Sequence, residues 1–129
     1  VVAALWQDSQ AEVVIRRRNA ERWQTTIVGV PGLDGFSPPV GGEAGWLRFP
    51  VIATGGIRSA LLTDSARRHG VISGYPTGLG ALPTPSRRIL RSQTLSGCEF
   101  LTDSLLTFPT HRFVSGLDIS HVFACVQTL

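Results

Sequence analysis

Apolar residues recur through the first part of the chain at helical spacing. Ala11, Val14, Ala20, Trp23, Ile27 and Val28 form one stripe, with Arg16, Arg17, Arg18, Glu21 and Arg22 mostly outside it. Ser9 followed by Glu12 has the spacing of a capping box, so the pattern predicts a helix from about Ser9 to Val28. Gly29 is a plausible stop, and Pro31-Gly32 makes a turn. A Glu12–Arg16 pair at i,i+4 adds only roughly 0.2–0.5 kcal/mol, so the helix must depend on packing.

Shorter periods follow. Leu33–Ser37 reads as a short strand, and the breaker-rich 38–45 stretch as a loop. Trp46–Ala53 reads as a strand in which Trp46, Leu47, Phe49, Val51 and Ile52 favour a pleated surface. Pro50 has no ladder donor, which predicts an edge position or a bulge. Gly55-Gly56 leads into a helix over Arg58–His69, ended by Gly70, and Val71–Tyr75 is a third strand. Prolines and glycines interrupt residues 76–96, predicting an irregular surface loop with at most a turn of helix near Ser86–Arg91. A helix over Gly97–Leu106 should bury Cys98, Leu101 and Leu105, with Phe108-Pro109 extended after it. Ser115 and Asp118 then open a last helix reaching about Gln127, burying Ile119, Val122, Phe123 and Val126. With no internal repeat and no linker, residues 1–129 read as a single α+β domain, a small sheet covered by helices.

Composition narrows the function classes. Hydrophobic residues make up 43% and charged residues 16% of the 129, which argues against disorder and supports one core. No apolar run approaches the ~20 residues of a membrane helix. The Val1–Trp6 start is too short and uncharged for a signal peptide. The chain has no methionine, which processing, a trimmed tag or a cut from a longer polypeptide would each explain. Cys98 and Cys125 lack metal-ligand spacing and read as small buried hydrophobes, so a cytoplasmic setting is expected. The net charge is +3, and arginines cluster at 16–18, 67–68 and 87–88, where they could attract anions. Biased coding composition is the plainer account. No basic run with interleaved aromatics is present, which argues against nucleic acid as a partner.

All twelve basic residues of the Lys+Arg total are arginine. The chain therefore has no side-chain amine for a Schiff base, and arginine cannot replace one. Thr54-Gly55-Gly56-Ile57-Arg58-Ser59 follows a strand and opens a helix, the best small-anion candidate in the chain. A plain capped turn is the competing reading of the same residues. His69, His111 and His121 have the wrong spacing for a helical metal pair, and no metal is expected. His69 near a helix C-terminus reads as a dipole partner, and His111 as structural. There is no Gly-x-Ser-x-Gly elbow and no obvious acid/base carboxylate pair, so no catalytic residue is assigned.

Four stretches resemble the C-terminal small domain of fold-type I pyridoxal-phosphate aminotransferases, and most closely the DegT/StrS-type sugar aminotransferases. They are Arg16-Arg17-Arg18-Asn19-Ala20-Glu21-Arg22-Trp23, Trp46-Leu47-Arg48-Phe49-Pro50-Val51, Ala66-Arg67-Arg68-His69-Gly70-Val71 leading to Tyr75-Pro76, and Gly97-Cys98-Glu99-Phe100-Leu101 with Leu105 to His111. The resemblance implies a small, mainly antiparallel sheet of three or four strands packed by helices. It also implies that cofactor and Schiff-base lysine belong to a large N-terminal domain. Gly80 stands where the family commonly has a His after the Tyr-Pro strand, so that substrate contact does not carry over.

Two readings follow. In the first, the chain is an isolated or truncated small domain of such an enzyme, inactive alone and holding no cofactor of its own. Gly56, Arg58, Ser59 and Tyr75 are then its possible anion or substrate contacts. In the second, it is a noncatalytic interaction module that self-associates through surface uncovered by a missing domain, with Leu5, Trp6 and Trp23 as anchors. A missing large domain or a homo-oligomer is the expected partner.

Overall fold

The computed structural model describes residues 2–77 and 96–127, with side chains from residue 6 onward. The fold is α+β. Helix α1 (Val2–Ile27) leads to strands β1 (Leu33–Gly35) and β2 (Arg48–Ala53) and to helices α2 (Gly56–Leu61) and α3 (Asp64–Arg68). Strand β3 (Ile72–Ser73), helix α4 (Ser96–Ser104), strand β4 (Leu105–Pro109) and helix α5 (Gly116–Gln127) follow. The four strands form one antiparallel sheet in the order β1-β2-β4-β3.

Alternation along β2 and β4 sets the core. Phe49 opposes Phe108 and Val51 opposes Leu106, and all four are buried. Helix α1 closes over this face with Ala20, Trp23 and Ile27, and α5 adds Ile119 and Val122. The predicted stripe on α1 is therefore half right: Ala11, Val14 and Val28 are exposed. Ser9 does not cap α1, which begins seven residues earlier. Glu12 bonds Arg16 at 3.3 Å, as expected, and Arg112 at 2.8 Å. The Arg112 hydrogen bond holds the Glu12 carboxyl below its usual range.

Three more expectations need correction. Pro50 is on an interior strand, and the β2–β4 register runs from Arg48↔Pro109 to Ile52↔Leu105 without a bulge. It is tolerated because β1 ends opposite Val51, so on that side no strand is left without a donor. The helix expected over Arg58–His69 is two helices. Thr63 takes extended backbone angles and its hydroxyl accepts from the Ala66 amide, which restarts the helix at Asp64. The helix expected to reach Leu106 stops at Ser104, and the chain passes directly into β4. The final cap is as expected: the Ser115 amide donates to Asp118 at 2.8 Å, and the Asp118 amide donates to the Ser115 hydroxyl at 3.2 Å.

The predicted 76–96 loop, its turn near Ser86–Arg91, and Arg87, Arg88 and Gly80 lie outside the described residues, apart from the first two positions and the last. Cys98 and Cys125 are half-buried and form no disulfide. Among the described residues no helix is long and apolar enough to cross a membrane.

Candidate functional site

Gly56, Arg58 and Ser59 lie together on α2, as their spacing requires. Gly55 precedes them at φ 60° and ψ −143°, backbone that only glycine adopts readily. At six residues, α2 has little macrodipole, so any anion attraction here rests on the Arg58 guanidinium. Arg58 Nη2 donates to the Thr102 carbonyl of α4 at 3.3 Å, while its Nε is buried with no partner. Ser59 is exposed, and Tyr75, 57% exposed, follows β3. Among the described residues Nη1 and the buried Nε of Arg58 thus have no partner, and burial keeps Nε from an incoming anion.

The interface residues divide. Trp6 is 66% exposed, within a stretch of α1 (residues 6–11) that is exposed throughout. The Leu5 side chain lies outside the described residues. Trp23 is not an uncovered anchor. It is 1% exposed, its ring centre is 4.8 Å from that of Phe108, and its indole N–H donates to the Pro109 carbonyl at 2.7 Å. Facing the sheet from near the C-terminal end of α1 satisfies both the ring and its polar atom.

The arginine cluster at 16–18 also serves the fold more than a ligand. Arg16 Nη1 donates to the Leu47 carbonyl at 2.7 Å. Arg17 donates to the Ala44 carbonyl at 3.1 Å and to Glu43 at 2.7 Å. These bonds hold the loop before β2 against α1. Arg18 remains exposed and lines a surface groove with Glu21, Arg22, Thr25 and Gly116.

Sequence reasoning missed two polar clusters. Arg48 forks from β2 to the Thr107 hydroxyl at 2.7 Å, to the Thr107 carbonyl at 2.8 Å and to the Gly70 carbonyl. Burial lowers its pKa from the usual arginine value. The other cluster joins α3 to α5: His69 Nδ1 lies 2.8 Å from Asp118 Oδ1, and the His69 and His121 ring centres are 4.8 Å apart. Hydrogen bonds from Ser115 and then from His69 pull the Asp118 carboxyl down to about 2. His69 is the C-cap of α3, so the dipole expected from sequence is joined there by a carboxylate. His111 is exposed, and its carbonyl accepts from the Asn19 amide at 3.1 Å. Among the described residues no three His, Cys, Asp or Glu side chains converge as a metal site.

No family profile and no curated protein sequence matches this chain. Its fold matches part of three solved aminotransferase structures. DesV of S. venezuelae, solved in complex with a ketimine intermediate, superposes with TM-score 0.74 at 19% identity, over 92% of this chain and 32% of that one. The aminotransferase TlmJ from Streptoalloteichus hindustanus gives 0.73 at 22% identity, over 98% and 34%. A DegT DnrJ EryC1 StrS aminotransferase from Brucella abortus gives 0.70 at 18%, over 92% and 31%. The chain spans about a third of the length of each structure, and at these identities the likeness is one of fold.

Proposed function

We propose that this chain is the small, cleft-closing domain of a DegT/StrS-type, pyridoxal-phosphate-dependent aminotransferase, acting on an amino-sugar precursor together with a large domain that holds the cofactor. One observation carries the reading: nearly the whole chain superposes on about a third of three such aminotransferases, and it has no lysine. Its own residues do not fit as the cofactor's anchor, because no side chain here is a primary amine. The cofactor supplies an electron sink when bound; this chain would shape and close the substrate side of the cleft. Arg58, with Gly56 and Ser59 beside it and Tyr75 exposed, is the proposed contact for an anionic substrate group. A cytoplasmic setting goes with this reading.

The test is to express the coding region with its natural upstream sequence and reduce the product with borohydride in the presence of pyridoxal phosphate. The reading requires the label on a lysine N-terminal to residue 1, or on a separate lysine-bearing polypeptide that co-purifies. Transamination by residues 1–129 alone would overturn it.

Trp6 and the exposed turns around it favour a second reading, a noncatalytic module that pairs with a second copy through the start of α1. Light scattering separates the two. A homodimer that takes up no cofactor and falls apart in Trp6→Glu supports self-association; a monomer removes it.

A further inference from the structure

We propose that His69 and His121 form a two-histidine site for a divalent transition-metal cation of the zinc class, built across the contact between α3 and α5. With Zn–N bonds of about 2.0–2.1 Å, two imidazoles sharing one ion place their ring centres about 5 Å apart. These two rings stand 4.8 Å apart, tilted by 50°. The rings come from different helices, 52 positions apart in sequence (121 less 69), so only the tertiary fold brings them together.

The hydrogen bond to Asp118 fixes which nitrogen of His69 can meet a metal. An ionised carboxylate can only accept, so the 2.8 Å contact makes His69 Nδ1 the donor, and in the neutral ring it is Nε2 that carries the lone pair. Carboxylate–histidine–metal triads use the same arrangement, in which the outer carboxylate orients the ring and raises its basicity. Asp118 is itself held by the Ser115 amide and hydroxyl at 2.8 and 2.6 Å, so this carboxylate is anchored. The His69 side chain is partly accessible and His121 is exposed, leaving an entry path.

The donor set also selects the ion. Two imidazole nitrogens suit zinc, nickel or copper, and magnesium and calcium prefer oxygen ligands. Exposed Arg67 and Arg68 precede His69, which disfavours collecting a hard cation by charge alone. No third metal-ligating side chain joins the pair among the described residues, so water completes the coordination sphere and the site is open.

The experiment is titration of the purified chain with Zn2+, followed by calorimetry and by NMR of the imidazole nitrogens, with Mg2+ as the comparison ion. The expected result is one Zn2+ per chain, with both the His69 and His121 rings shifted and His111 unmoved. His69→Gln and His121→Gln should each weaken binding at least about tenfold, and His111→Gln should leave it unchanged. Asp118→Asn should weaken it about 10–100-fold as an outer-shell loss, while Ser115→Ala should change it far less. If a Gln variant fails to fold, the ring shifts of the unaltered chain decide. Absence of any zinc-induced shift in the two rings overturns the proposal, and so does equal binding by folded Gln variants.

Discussion

The indole N–H of Trp23 donates to the carbonyl of Pro109 across 2.7 Å, and this bond joins the C-terminal part of α1 to the last residue of β4. Asn19, one turn earlier, donates to the carbonyls of Thr110 and His111 at 3.0 and 3.1 Å. One helix face thus satisfies three successive carbonyls where the chain leaves the sheet. Trp23→Ala should cost about 3–5 kcal/mol, as large aromatic truncations in cores do. Trp23→Phe keeps most of the apolar contact with Phe108 but leaves the Pro109 carbonyl without its donor, costing about 1–3 kcal/mol. Urea unfolding should rank the two variants in that order; equal stability of Trp23→Phe and the unaltered chain would mean that the bond contributes nothing.

How much of this was legible depends on where the signal is local. The α5 cap could be read because Ser115 and Asp118 satisfy each other within one turn. The same spacing at Ser9 and Glu12 misled, because α1 has no break there and Glu12 instead bonds Arg112, a hundred positions away. Strand β4 was hidden because Ser104 passes into Leu105 with no glycine or proline between them. Its period-two alternation, Leu106 and Phe108 in and Leu105 and Thr107 half out, was nonetheless available. The division of α2 from α3 was also available, in Thr63 followed by Asp64.

The site was less legible than the fold. That Gly56, Arg58 and Ser59 share one short helix follows from adjacency alone. The Arg48 fork and the His69–Asp118 pair join residues 59 and 49 positions apart. No spacing rule marks such pairs. Trp23 stood in the apolar stripe of α1 and Trp6 outside it, yet which partners bury Trp23 could not be read without knowing where β4 lay, since Phe108 and Pro109 meet it there.

Asp118 gives a stability prediction in acid. Its folded-state pKa, about 2, lies below the ordinary value of 3.8, owing first to the Ser115 hydroxyl and then to His69. Its contribution is therefore fully present above pH 3.8 and is lost as pH falls through about 2. Because the carboxylate is partly solvated, the loss should be on the order of 1–2 kcal/mol, discounted for screening. Guanidinium titrations at neutral pH and near pH 2 should show the stability gap between the unaltered chain and Asp118→Asn closing in acid. A gap independent of pH would rule out the carboxylate's charge as its source.

Arg48 should be difficult to replace. Its guanidinium spans the Thr107 hydroxyl and carbonyl and the Gly70 carbonyl, tying β2 to β4 and to the turn before β3. Hydrogen bonds from a charged donor are worth about 1.5–3 kcal/mol each before non-additivity, so Arg48→Ala should destabilise by about 2–3 kcal/mol. Arg48→Lys should recover less than half of that, because an ammonium cannot hold the fork. Full recovery by lysine, measured by thermal unfolding, would show that charge and not planar geometry is what the site requires.

Arg58 is where the proposed cleft role and a purely structural role part. Among the described residues its one hydrogen bond, to the Thr102 carbonyl, is long at 3.3 Å, and its buried Nε has no partner. A structural arginine with donors left over gives little to stability, so Arg58→Ala should cost about 1 kcal/mol or less. An arginine that meets a phosphate or carboxylate makes bidentate, charge-assisted bonds, and losing them should weaken anion binding at least about tenfold, or ~1.4 kcal/mol. The measurement is inorganic phosphate and sugar-nucleotide affinity of the unaltered chain, Arg58→Ala and Arg58→Lys, by calorimetry at low and moderate salt. Binding that falls in Arg58→Ala, is only partly restored by lysine and weakens with salt assigns Arg58 to the substrate. Unchanged affinity in Arg58→Ala returns the glycine turn and Arg58 to the role of a plain connection between β2 and α2, which no side chain caps.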